Sequence, residues 1–91
     1  ESSTAAFMAT AFYRGIKMGI LSADEFTAPA ERAFDAMVKN LDNEGNLLGV
    51  SAAVYSALVD EHYWYVPLDR IVPWGQGPVL TAVAARNAVI G

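Results

Sequence analysis

Ser2-Ser3-Thr4-Ala5-Ala6-Phe7-Met8-Ala9-Thr10-Ala11-Phe12-Tyr13-Arg14-Gly15-Ile16-Lys17-Met18-Gly19 is apolar around most of a helical circumference. Met8, Phe12 and Ile16 recur every four residues, and Thr10, Arg14 and Lys17 mark only a narrow polar stripe. A helix that is apolar on nearly every side is expected to be surrounded by other elements. Ser2 or Ser3 can supply an N-cap oxygen, and Gly19 is placed to stop the helix.

The next helical segment differs in kind. Ser22 and Glu25 stand at capping-box spacing. Ala30, Ala33, Phe34, Met37, Val38 and Leu41 then recur at intervals of three and four, with Glu31, Arg32, Asp35 and Lys39 on the opposite side. The spacing predicts a one-sided amphipathic helix that starts near Thr27-Ala28-Pro29. An inner helix paired with an outer one is the expected unit of a layered helical barrel.

Asp42-Asn43-Glu44-Gly45-Asn46 is strong turn chemistry, and Leu47 to Ser51 reads as a short extended piece. Ala52 to Asp60 reads equally as a helical turn or a loop. His62 to Val66 has β-type composition, and Pro67 and Pro73 keep the following stretch irregular. Trp74-Gly75-Gln76-Gly77-Pro78 is expected to form a tight Gly-x-Gly corner. Gly77 supplies the backbone freedom there, and Pro78 the first helical turn. The last helix should run from Pro78 to about Ile90 with Val79, Leu80, Val83, Ala84 and Ala88 as apolar positions, making it a second inner helix.

With 91 residues and 54% apolar composition, the chain has more core than so small a domain can hide. It is therefore expected to be part of a larger fold or an obligate partner subunit. Opening on Glu1, inside helical sequence, fits an excised piece. Ten acids face six bases for a net charge of −4, with no basic run, which argues against nucleic acid as a partner. The apolar run ends at Arg14 and Lys17, too soon for a membrane span. Cysteine is absent, so no thiol chemistry is available. No cofactor is implied.

His62, the single histidine, lacks companions for a metal site. Asp24 and Glu25, Asp42 and Glu44, and Asp60 and Glu61 lie in loops or turns and read as solvated turn residues rather than a catalytic pair. No Gly-x-Ser-x-Gly elbow surrounds Ser2, Ser3 or Ser51. Tyr55, Tyr63, Trp64, Tyr65 and Trp74 either stack on sugar rings or pack the seam between loop and helices, with Trp74 the best placed for stacking.

In order along the chain, several segments resemble a known family. They are Glu1 to Met8, Tyr13 to Leu21, Ala30 to Phe34, the Asp42 to Gly45 turn, Gly49 to Ala52, Tyr63 to Pro67, and Trp74 to Pro78. The resemblance is to the unsaturated rhamnogalacturonyl and glucuronyl hydrolases, glycoside hydrolase families 105 and 88. It covers essentially all 91 residues, and the shared order of weak motifs carries it. It implies an all-α fold, the C-terminal part of a six-hairpin α/α barrel, with a short extended segment between helices.

The resemblance further implies removal of 4,5-unsaturated uronic acid from polysaccharide-lyase products by hydration of the vinyl ether bond. The essential aspartates of that family lie upstream of the matched region, so no catalytic residue is assigned here. Ser2, Ser3 and Thr4 would stand near the substrate, and Trp74 and Gln76 would line the last loop at the barrel mouth. A helix N-terminus favours an anionic carboxylate, which suits a uronate. The chain departs from the family pattern at Thr4-Ala5 and at Ala53-Val54, where glycine is common. The expected partners are the unsaturated oligosaccharide and either the rest of the barrel or a second copy. The alternatives are a non-enzymatic helical interaction module and a helical domain that binds a small ligand.

Overall fold

The computed structural model describes residues 2–50 and 73–90, with side chains of the last helix described from Gly75 onward. The described residues form three helices: α1 (Ser3–Lys17), α2 (Ala23–Val38) and α3 (Pro73–Ile90). Helix α1 packs against both others. Among the described residues there is no strand. The extended piece after the turn is reduced to one antiparallel bridge between Leu41 and Leu47.

Helix α1 ends in a Schellman motif. Gly19 adopts φ +76°, its N–H donates to the Ile16 carbonyl at 3.1 Å, and the Ile20 N–H donates to the Gly15 carbonyl at 2.9 Å. Leu21 folds back over Gly15, where an added Cβ would stand 2.5 Å from Leu21 Cδ1. The chain therefore reverses within a few residues, and α2 returns antiparallel to α1. Phe12 meets Phe26 at 5.8 Å, and Tyr13 meets Phe34 edge-on at 6.4 Å.

The buried face of α1 differs from the expected one. Ser3, Ala6, Ala9, Thr10 and Tyr13 are buried, while Met8 is 46% exposed. Small residues on this face allow helices on two sides to approach closely. Thr10, expected on the polar stripe, is inside, with its hydroxyl donating to the Ala6 carbonyl at 2.9 Å. In α3 the buried positions are likewise the small ones, Gly75, Pro78, Val79, Ala82 and Ala85, and Leu80 is 74% exposed.

Helix boundaries also moved. Helix α2 starts at Ala23, not near Thr27, because Ser22 takes the extended N-cap conformation and Asp24 and Glu25 complement the dipole of the first turn. No Ser22 side-chain cap forms, so the capping box marks the right place without its hydrogen bond. Pro29 is tolerated inside α2, where it removes one backbone donor. Ser2 precedes α1, but its hydroxyl does not cap the helix.

The largest correction concerns Trp74 to Pro78. This stretch is helical rather than a corner, since α3 begins at Pro73 and contains Pro78. Pro73 takes the first helical position, where its ring angle is already suitable. Gly77 has no positive φ. Gly75 is needed for space instead: a Cβ there would lie 2.7 Å from Val50 Cγ2. Gly77 has open space around it. Gly77→Ala should therefore stabilise the protein, by up to about 1 kcal/mol of helix propensity. Gly75→Ala should destabilise it by about 1–3 kcal/mol through overpacking. Urea unfolding of both variants checks this, and a destabilising Gly77→Ala would restore the left-handed corner.

Candidate functional site

The starts of α1 and α3 stand at one end of the structure, and residues 45–50 run between them. The Ser2 N–H donates to the Gly49 carbonyl at 2.9 Å, and the Ser2 hydroxyl donates to the Leu48 carbonyl. On the other side, Gln76 Oε1 accepts from the Leu47 N–H, and Gln76 Nε2 donates to the Gly45 carbonyl at 3.1 Å. Within this run Leu47 and Val50 are fully buried. Gly49 adopts φ +76°, which only glycine reaches without strain, and aims its carbonyl at Ser2.

The Asp42 turn holds the near end of this run. Asp42 Oδ1 accepts from the N–H groups of Glu44 and Asn46, both at 2.9 Å, and Asn46 Nδ2 donates to Asp42 Oδ2 at 3.1 Å. These bonds, led by the one from the Asn46 backbone, hold the Asp42 carboxyl below its ordinary range. The Leu48 N–H closes the other side on the Asn40 carbonyl at 2.8 Å.

Of the residues expected near a substrate, Ser2, Ser3, Thr4 and Gln76 gather at this end. Ser2 and Ser3 are buried, and Thr4 is exposed. The Ser2 hydroxyl and the Gln76 carboxamide both bond to the backbone of residues 45–48. Trp74 belongs to the first turn of α3, but its side chain lies outside the described residues. Tyr55, His62, Tyr63, Trp64 and Tyr65, with Ser51 and the Asp60-Glu61 pair, also lie outside them. Among the described residues no group of three metal-ligating side chains occurs, and no helix is long and apolar enough to cross a membrane.

Two further features bear on chemistry. Neither α1 nor α3 carries an acid in its first turn, whereas α2, which starts at the opposite end, carries Asp24 and Glu25. The positive ends of two helix dipoles therefore face the same way without side-chain compensation within their first turns. Beside them, an open groove of about 390 Å³ runs between α1 and α3, lined by Phe7, Thr10, Arg14, Gly77, Pro78 and Thr81. Its lining pairs Phe7 and Thr10 of α1 with Gly77, Pro78 and Thr81 of α3, as two parallel helices require, and continues to Arg14 in the last turn of α1.

Farther along the helices stands a cluster that the sequence did not announce. The Tyr13 hydroxyl donates to Glu31 Oε1, Arg86 Nε donates to the same oxygen at 3.0 Å, and Arg86 Nη2 donates to Oε2 at 3.2 Å. The Arg86 guanidinium also sits 4.9 Å from the centre of the Phe34 ring. Glu31, expected on the solvated side of α2, is instead half-buried and joins all three helices. The only hint in the sequence is its position beside Ala30 and Phe34 on the inward face.

The profile of the family described as Glycosyl Hydrolase Family 88 matches residues 1–89. No curated protein matches the chain. A solved structure from Salmonella enterica serovar Paratyphi A, described as a possible member of glycoside hydrolase family 105, superimposes with a TM-score of 0.81 at 25% identity. The match covers 96% of this chain and 23% of that one, so the chain spans about a quarter of its neighbour's length.

The Glu31 cluster makes stability depend on pH on both sides of neutrality. Hydrogen bonds from Arg86, then from Tyr13, lower the Glu31 pKa from 4.5. The stability it contributes is present above the unfolded value and is lost as pH falls through the folded one. Burial, then the hydrogen bond to Glu31, pushes the Tyr13 phenol up to about 12. Its contribution is present below 10 and is lost as pH rises toward 12. Glu31→Gln should flatten the acid limb of the stability profile and Tyr13→Phe the alkaline limb, as read by thermal melts across pH. Profiles parallel to that of the unmodified protein would deny the cluster its role.

Proposed function

This chain is a member of Glycosyl Hydrolase Family 88, and from that membership we propose that its 91 residues are the C-terminal part of a hydrolase acting on unsaturated uronyl oligosaccharides. The fold is all-α, part of a six-hairpin α/α barrel. In the reaction an aspartate from elsewhere in the barrel protonates the C4=C5 double bond of the terminal sugar. Water adds at C5 and returns a proton to the carboxylate. The resulting hemiketal opens to a C5 ketone, and the hemiacetal left at C1 collapses to an aldehyde, releasing the attached sugar as an alcohol. These residues alone supply no acid for that step and contribute one wall of the substrate end.

The observation that carries this reading is the pairing of two helix starts, α1 and α3, with no acid in either first turn. Such an end favours a carboxylate, the group that distinguishes a uronic acid from a neutral sugar. Ser3 and Thr4 provide hydroxyls there, and Trp74 an aromatic face for the ring. Phe7, Met8, Leu80 and Val83, large apolar residues exposed on α1 and α3, are assigned to the contact with the rest of the barrel. A stand-alone interaction module would use the same faces but would show no turnover.

The protein carrying this chain should consume an unsaturated glucuronyl disaccharide, with loss of the ultraviolet absorbance of its conjugated double bond. Thr4→Val should lower kcat/KM roughly ten- to a hundredfold, the worth of a hydrogen bond to a charged group. Trp74→Ala should reduce turnover while circular dichroism keeps its helical signal. Unchanged kinetics in either variant would remove that residue from the site, and no turnover by the unmodified protein would remove the reaction.

A further inference from the structure

We infer that Gln76 is a positioning residue: it acts through the strap of residues 45–50 to set the spacing between the two helix starts, rather than by touching the sugar. The inference rests on the reading of this end as the substrate site. Its carboxamide pairs with backbone as a peptide group would, accepting from the Leu47 N–H and donating to the Gly45 carbonyl at 3.1 Å. Both ends of the amide are thereby engaged, which fixes the plane of the carboxamide against the strap and leaves one Nε2 hydrogen and one Oε1 lone pair open.

The strap continues from Gln76 to α1 without a break. Leu47 is bonded to Gln76, Leu48 to Asn40 and to the Ser2 hydroxyl, and Gly49 to the Ser2 N–H. Beyond it, Val50 fits against Gly75, where a Cβ would stand 2.7 Å away. Gln76 and Ser2 are thus two anchors of one short segment. Releasing either anchor frees the same segment, so Ser3 and Thr4 on α1 lose their fixed distance from the first turn of α3. A displacement of about 1 Å is enough to reduce a well-aligned rate substantially.

The test uses the protein carrying this chain, with Gln76→Ala, Gln76→Glu, Ser2→Ala and the Gln76→Ala/Ser2→Ala double variant. In Gln76→Ala the Leu47 amide should exchange its hydrogen about tenfold faster, the equilibrium worth of one hydrogen bond, while amides in the middle of α1 and α3 keep their protection. Gln76→Glu retains an acceptor for the Leu47 N–H but turns a carboxylate on the Gly45 carbonyl. It should keep Leu47 protected while still losing activity.

On the unsaturated disaccharide, the double variant should lose little more kcat/KM than the worse single one, because both substitutions cut one strap. Additive losses, as two independent sugar contacts would give, or unchanged Leu47 exchange in Gln76→Ala, overturns the inference. The exchange measurement needs no substrate. Absence of turnover in the unmodified protein therefore condemns the proposed reaction, while the Leu47 result separately decides the strap.

Discussion

One carboxylate sets the relation of the three described helices. Glu31 projects from α2 and accepts from Tyr13 of α1 and Arg86 of α3. Because most buried residues of α1 and α3 are small, their packing surfaces are smooth and would tolerate sliding. A forked guanidinium on two oxygens of one carboxylate does not tolerate it. The ion pair is about one-third exposed at either partner, so its value lies more in geometry than in strength.

With that register fixed, the other end of the helices becomes a defined place. The strap of residues 45–50 lies across the two starts, Gly49 turns its carbonyl to Ser2, and Gln76 holds the backbone on the far side. Parallel α1 and α3, with α2 antiparallel outside them, is the arrangement in which inner helices of a barrel all open the same way. Two dipole ends with no acid in their own first turns then face one direction. That is the physical reason behind the proposal that an acidic sugar is bound at this end.

The sequence made the helices legible because their causes are local. Gly19 stopped α1 as its position implied, and the Asp42 to Asn46 turn formed from residues that bond within a few positions of one another. It misled where the cause is distant. Pro78 was read as a helix start because glycines surround it, yet those glycines are helical and Gly75 answers to Val50. Periodicity pointed to Met8 as a core position, but the buried face is chosen by which side can be approached closely, and alanines win there. Glu31 looked solvated because its partner Arg86 is 55 residues away. Of the residues expected near the substrate, Ser2 and Gln76 proved to have backbone partners that no spacing rule foretells.

The central claim is that an anionic sugar meets this chain where α1 and α3 begin. Amide chemical shifts of the protein carrying the chain, followed while an unsaturated glucuronide is added, test it most directly. Within this chain, the account predicts saturable shifts confined to residues 3–5, 45–50 and 74–77. Shifts centred instead on the outer face of α2, around Arg32, Asp35 and Lys39, or no saturable shift at all, would contradict it.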